Sequence, residues 1–193
     1  MSGVRQFDEQ ETFERSIAVF WRKGYANTSM NDLAEATGVQ RGSLYNAYGS
    51  KDALFLRAYQ VYAERYLMKA RESLERRTHR ASLESFFNFI IEWLREGEPT
   101  RGCLSTKTAF AGEIVEEPIR EAVADLLDRL EAVIFERLAK PEETTRMALS
   151  PLKAAHLVLT MTRGLVVLER IYPNNPERLR ASKDSLLEVL FIK

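Results

Sequence analysis

The stretch from Ala36 to Lys51 contains no Asp or Glu, and it carries Arg41 and Lys51 together with the hydrogen-bonding side chains of Ser43, Tyr45 and Asn46. A surface of this composition suits a polyanion. A guanidinium can grip the two acceptors of a guanine edge, amide and phenol groups reach base edges or phosphate oxygens, and a hydroxyl bonds the sugar-phosphate backbone. Lys51, beside the free amides of a helix start, suits a phosphate. The chain as a whole is neutral, with 28 Lys and Arg against 28 Asp and Glu in 193 residues. Any nucleic-acid contact is therefore a local patch and not a property of a general basic field.

Other chemistry is scarce. Cys103 is the single cysteine, which excludes an intramolecular disulfide and a multi-thiolate zinc site, and a reducing cytoplasm is the expected compartment. His79 and His156 have no partner at ligand spacing, so no metal site is expected. Asp125, Asp128, Glu131 and Glu136 interleave with Arg129 and Arg137 as the solvated face of a long helix. With no nucleophile and base, no ligand set and no phosphate loop, neither an enzyme nor a cofactor is expected. The N-terminus lacks the apolar run of a signal peptide. The most apolar stretch, Leu152 to Leu168, is broken by Lys153, His156 and Arg163 and is expected to fall short of a membrane span.

The elements that must position these groups read as helices throughout, because no sustained period-2 alternation or hairpin dipeptide occurs. Phe13, Ile17, Phe20 and Trp21 mark one face of a first helix, roughly Phe7 to Lys23, stopped by Gly24. Thr28 or Ser29 caps a second, short helix with Met30, Leu33 and Ala34, which Gly38 ends. A third short helix follows, with Val39 and Leu44 inward and Arg41, Ser43, Tyr45 and Asn46 outward, and Ser50 caps a fourth running to about Arg77. Beyond it, Ser82 is expected to cap an all-round apolar helix, a shorter helix lies near Thr106 to Glu113, Pro118 and Pro151 suit the first turns of two more, and Pro173-Asn174-Asn175-Pro176 forms a turn before the last. The tally is about nine helices, an all-α chain. Three short helices before a long one, with a glycine between the second and third, is the layout of a helix-turn-helix DNA reader.

The residues Phe20, Gly24-Tyr25, Thr28-Ser29-Met30, Asp32-Leu33-Ala34, Ala36, Gly38-Val39, Ser43-Leu44-Tyr45, Tyr48 and Ser50-Lys51-Asp52-Ala53-Leu54 together resemble the N-terminal pattern of the TetR family of transcriptional regulators. The likeness covers about Phe13 to Tyr62, with Tyr48 where the family often has phenylalanine. It implies an N-terminal helix-turn-helix domain over residues 1–50 and a helical bundle over 51–193 that binds an effector and dimerises through its last two helices. It further implies a homodimer that binds a palindromic operator in double-stranded DNA and acts as a ligand-responsive regulator, most often a repressor. The expected DNA-facing set is Thr28, Gln40, Arg41, Gly42, Ser43, Tyr45, Asn46, Tyr48 and Lys51. The alternative is a helical adaptor that binds protein only.

For the effector, Phe86, Phe89, Trp93, Phe110 and Met161 can line an apolar pocket, with Thr106, Glu113 and His156 orienting a ligand. At helical spacing the same aromatic residues serve equally as core. Gly102-Cys103-Leu104 is similar to a segment of some family members in which a cysteine senses oxidants or electrophiles. That role competes with a buried core thiol. In the last two helices Leu157, Val158, Met161, Leu165, Leu168, Leu186, Leu187 and Leu190 exceed the needs of one peripheral hairpin, and a dimer interface would absorb the excess.

Overall fold

The computed structural model describes residues 7–97, 100, 102–109, 117–142, 144 and 146–192. Among these the helices are α1 (Glu9–Lys23), α2 (Met30–Thr37), α3 (Arg41–Tyr48), α4 (Lys51–Leu74), α5 (His79–Arg95), α6 (Leu104–Ala109), α7 (Glu117–Leu138), α8 (Pro151–Ile171) and α9 (Pro176–Leu190). The all-helical expectation holds, with one addition. Two short strands, β1 (Arg146–Met147) and β2 (Phe191–Ile192), pair antiparallel with Arg146 opposite Ile192. Strands of two residues are too short to show a period in the sequence.

The chain divides into two compact units, residues 1–64 with 104–124, and residues 65–103 with 125–193. Helices α4 and α7 each contribute one part to each unit. In the first, α1 packs on α2 and α6, and α2 on α3. Its core holds Phe20, Leu33, Leu44, Leu54 and Phe55, all essentially inaccessible. Phe20 meets Phe55 edge-on at 4.9 Å, Phe55 stacks on Tyr59 at 5.5 Å, and Trp21 meets Tyr62 at 5.2 Å. Such offset and edge-on contacts suit the ring quadrupoles. Lys107 of α6 donates to the carbonyls of Trp21 and Arg22 in the last turn of α1, where a cation satisfies orphan acceptors and opposes the helix dipole.

In the second unit α5, α8 and α9 pack against one another. Thr78, not Ser82, caps α5: the Thr78 hydroxyl accepts from the Ala81 amide, and Ser82 lies inside the helix and buried. Helix α5 is not apolar all round, because Glu84, Asn88 and Glu92 form an exposed stripe at four-residue spacing. Helix α4 ends at Leu74, and α6 starts two residues earlier than Thr106. Helix α8 is, by length and a mean hydropathy of 1.2, long and apolar enough to cross a membrane, contrary to the expectation for its interrupted stretch. Its Ala154, Ala155, Val158, Leu165 and Val166 pack in the core of this unit, as do Leu186, Leu187 and Leu190 of α9. Much of the apolar excess assigned to an interface is therefore core.

Buried His79 opens α5, and its backbone N–H donates to the Glu142 carboxylate. Its Nε2 lies 3.0 Å from the Lys140 carbonyl and its Nδ1 3.2 Å from Glu142. Burial depresses the imidazole below its ordinary 6.5, against the pull of Glu142. The unfolded chain therefore binds this proton more tightly, so the stability that neutral His79 contributes is complete above 6.5 and is lost as pH falls below it. Thermal melts from about pH 7.5 down to about pH 5.5 should show a falling midpoint, and His79→Gln should flatten that fall.

Candidate nucleic-acid interface

The frame of the interface is a pair of eight-residue helices, each too short to persist alone in water. Ser29 starts α2 with a reciprocal capping box: its hydroxyl accepts from the Asp32 amide while the Asp32 carboxylate accepts from the Ser29 amide at 2.8 Å. Of the two candidate caps, Ser29 does the work. Lys23 holds Asp32 from the other side at 2.5 Å, and this contact, followed by the bonds to Ser29, keeps the carboxyl far below its usual range. Gly38 ends α2 in the left-handed region, φ 71° and ψ 8°, and its N–H donates to Ala34 at 3.0 Å. A side chain there would be strained, so the glycine sets the turn that redirects the chain into α3.

Helix α3 is sided. Leu44 and Tyr48, four residues apart, are buried, and the Tyr48 ring lies 5.7 Å from Phe13 of α1. Burying that edge turns Gln40, Arg41, Gly42, Tyr45 and Asn46 outward, all exposed, with Ser43 half-buried at the margin. The Arg41 guanidinium lies 5.4 Å from the Tyr45 ring, an attraction that orders two long side chains on one surface. A Cβ added at Gly42 would meet nothing within 4 Å, so no packing inside the protein requires a glycine there, and its bare backbone lets an outside surface approach closely. Gln40 makes no side-chain cap, so the first-turn amides of α3 are not taken up by its side chain.

Three of the expected residues sit differently from this exposed set. Thr28 is buried, its hydroxyl donating to Gly24 O at 2.7 Å, and Tyr48 is part of the core. Lys51 is half-buried over the Tyr25 ring at 4.2 Å, and its ammonium donates to Tyr25 O at 3.1 Å. The Tyr25 hydroxyl in turn donates to Asp52 at 2.5 Å, and Ser50 accepts from the Ala53 amide. These bonds fix the start of α4. Nothing local marks Tyr25 for this role, because its partners Lys51 and Asp52 lie 26 and 27 residues away in the chain.

The residues expected to receive an effector are divided. In the second unit Phe86 and Phe89 (6.5 Å), Phe89 and Trp93 (5.6 Å), and Tyr66 with both Phe89 and Trp93 form one aromatic cluster. Cys103 is buried, and Arg163 Nη1 donates to its Sγ at 3.5 Å. Burial pushes the Tyr66 phenol far above its ordinary value, with Arg163 opposing the rise and Cys103 adding to it, so the three form one electrostatic set. Tyr66 and Arg163 were not anticipated; each reads as an ordinary helix residue until α4 and α8 pack. Buried Glu169 approaches Gly102, whose added Cβ would lie 3.8 Å from its carboxylate, and Glu169 Oε1 has no hydrogen-bond partner. Met161 is half-buried, whereas His156 is exposed and bonds Glu131 at 2.7 Å, away from the inward face of α8. Thr106 belongs to the other unit, and Phe110 and Glu113 lie outside the described residues.

A buried two-helix frame presenting an acid-free outward face defines a helix-turn-helix protein. Residues 13–58 match the family model described as bacterial regulatory proteins, tetR family. The chain is 33% identical over 111 residues to the uncharacterized HTH-type transcriptional regulator YezE of Bacillus subtilis, covering 57% of each, and 28% identical over 194 residues to the HTH-type transcriptional repressor DhaR of a Mycobacterium species, covering 94% of this chain and 89% of that one. It spans about half the length of the first curated relatives it matches. Among solved structures, a cysteine mutant of the TetR family regulator CifR, complexed with 26-bp double-strand operator DNA, superposes with a TM-score of 0.82 at 25% identity, covering 97% of this chain and 98% of that one. Residues 13–58 thus carry the N-terminal pattern of the tetR family of bacterial regulatory proteins.

Removing the cap that starts the frame isolates its contribution. Ser29→Ala should cost about 1 kcal/mol, read as a lower urea midpoint with an unchanged slope.

Proposed function

We propose that the protein is a DNA-binding repressor that works as a homodimer on a palindromic operator and releases it when the second unit receives an effector. The observation that carries this reading is the outward face of α3, where Gln40, Arg41, Gly42, Tyr45 and Asn46 are exposed together on a helix fixed by Leu44 and Tyr48. Arg41 and Asn46 read base edges in the major groove, Ser43 and the first amides of α3 hold phosphate oxygens, and Lys51 adds a cation at the start of α4. A protein-only adaptor has no need of this acid-free set.

Dimerisation through α8 and α9 is supported by the apolar side chains these helices leave exposed: Leu152, Val167 and Ile171 on α8 and Val189 on α9 are about half to two-thirds accessible. Gly164, on the same side of α8 as Val167 and Ile171, has open space beyond its Cα. Two readers related by a two-fold axis meet successive major grooves about 34 to 36 Å apart, so an effector that prefers a different separation weakens operator binding. The effector acts at residues 51–193 as a small molecule held by the aromatic cluster or as an oxidant or electrophile that reacts at Cys103. The Cys103 to Arg163 contact supports the second form, because a guanidinium stabilises negative charge on sulfur and loses its partner when that sulfur is modified. Such a regulator would act in the cytoplasm.

Fluorescence anisotropy on DNA flanking the gene, against scrambled DNA of equal length at fixed salt, tests the reading. Arg41→Ala should cost about 1 to 3 kcal/mol on the specific site and relax base preference, and Lys51→Ala should weaken binding evenly across sequences and reduce its salt dependence. Equal losses for both on scrambled DNA would overturn that division of roles. Release of operator by an alkylating agent or peroxide should disappear in Cys103→Ser, while a persistent response would overturn Cys103 as the point of reaction.

A further inference from the structure

At the C-terminal end of α4, within the second unit, a cleft of about 610 Å³ opens between Arg71, Leu74, Glu75, Arg76 and Arg77 on one side and Val133, Glu136, Arg137, Lys140 and Pro141 on the other. Five cations face two carboxylates there, in a chain whose charges balance overall. Elsewhere on the exposed helices opposite charges pair along the surface, as in Glu117 with Arg120, Asp125 with Arg129 and Glu177 with Arg180. Here no ion pair forms among the described residues: Arg71, Arg77 and Lys140 are exposed, and their side chains have no partner.

The other two cations are held in place. Arg137 donates from Nε to Leu74 O at 3.2 Å and from Nη2 to Arg76 O at 2.8 Å. Arg76 donates from Nη1 to Glu72 O at 3.2 Å and Glu75 O at 2.9 Å. Glu72 O and Leu74 O lie in the last turn of α4 and Glu75 O and Arg76 O just beyond it, so the bonds that finish the helix also immobilise two guanidinium planes. Each plane keeps uncommitted N–H groups. The side chains have already lost their rotational freedom, which lowers the cost of binding an anion. Leu74 and Val133, both buried, form an apolar floor. The volume lies within the range of small-molecule sites.

We infer that this cleft is a ligand site for a small polyanion bearing two or more phosphate-type groups, with Arg76 and Arg137 as its fixed donors and Arg71, Arg77 and Lys140 as cations that close on it. The convergence of unpaired like charges is relieved when such a ligand binds. Its chemistry separates it from the aromatic cluster and from Cys103, and it does not depend on the DNA-binding reading.

Inorganic tripolyphosphate titrated into the full chain at low ionic strength, followed by calorimetry and by the melting temperature, tests the site. The DNA-facing cations also attract polyphosphate, so the titration is repeated in Arg41→Ala/Lys51→Ala. Saturable binding of one tripolyphosphate per chain is expected in both proteins, with a raised melting temperature. Arg71→Gln/Arg77→Gln/Lys140→Gln, which alters exposed side chains without hydrogen bonds, should weaken binding at least tenfold and abolish the thermal shift. The charge-matched Arg22→Gln/Arg65→Gln/Lys153→Gln should bind within about twofold of the parent. Absence of saturable binding, its loss in Arg41→Ala/Lys51→Ala, or equal weakening by the two triple variants would each overturn the site.

Discussion

Burial of Leu44 and Tyr48 is the constraint on which the outward face of α3 depends. Helix α3 spans only eight residues and has no side-chain cap, so its own backbone bonds cannot hold it in water. What holds it is insertion of Leu44 into the core beside Leu33 and contact of Tyr48 with Phe13, together with the left-handed Gly38 that sets the direction of entry. Because the two anchors lie four residues apart, the remaining faces of the helix turn outward as a set. The exposure of Arg41, Tyr45 and Asn46 is thus a consequence of core packing, and a change in the core would re-aim the surface without touching it.

The same economy recurs wherever a cation closes a helix. Lys107 satisfies the end of α1, Lys51 joins Tyr25 to the start of α4, and Arg76 and Arg137 satisfy the end of α4. Each bond meets backbone acceptors that water would otherwise occupy, and each fixes a charged group at a defined place. Lysine and arginine differ in what remains. A lysine ammonium so used keeps its charge and its remaining N–H groups at one point, whereas a guanidinium bonded through one edge offers donors along another.

Within the second unit several polar groups of the interior lie close together. Tyr66, Cys103 and Arg163 interact through charge and hydrogen bonding, and Glu169 lies beside Gly102. A buried carboxylate oxygen without a partner and a buried thiol under a guanidinium are costly in a core built mostly of aliphatic and aromatic side chains. Such groups lie in the second unit, whereas the exposed set on α3 belongs to the first.

Helical periodicity, glycine stops and proline starts were enough to place all nine described helices, and the motif from Phe20 to Leu54 was enough to mark the tetR-family pattern of residues 13–58, because both signals are local and depend on residues close in the chain. The outward direction of Arg41, Tyr45 and Asn46 was legible for the same reason: one short helix with two apolar anchors has one exposed side. What packing alone decided was every pairing between distant residues. Thr28 and Lys51 carry the right groups for DNA, yet Gly24 O claims the hydroxyl of one and Tyr25 the ammonium of the other. Arg163 meets Cys103 across sixty residues, and Arg137 meets the end of α4 across a similar span. Periodicity specifies which face of a helix is apolar, but the partner of a polar group is set by which helices converge, and that convergence is a property of the whole core.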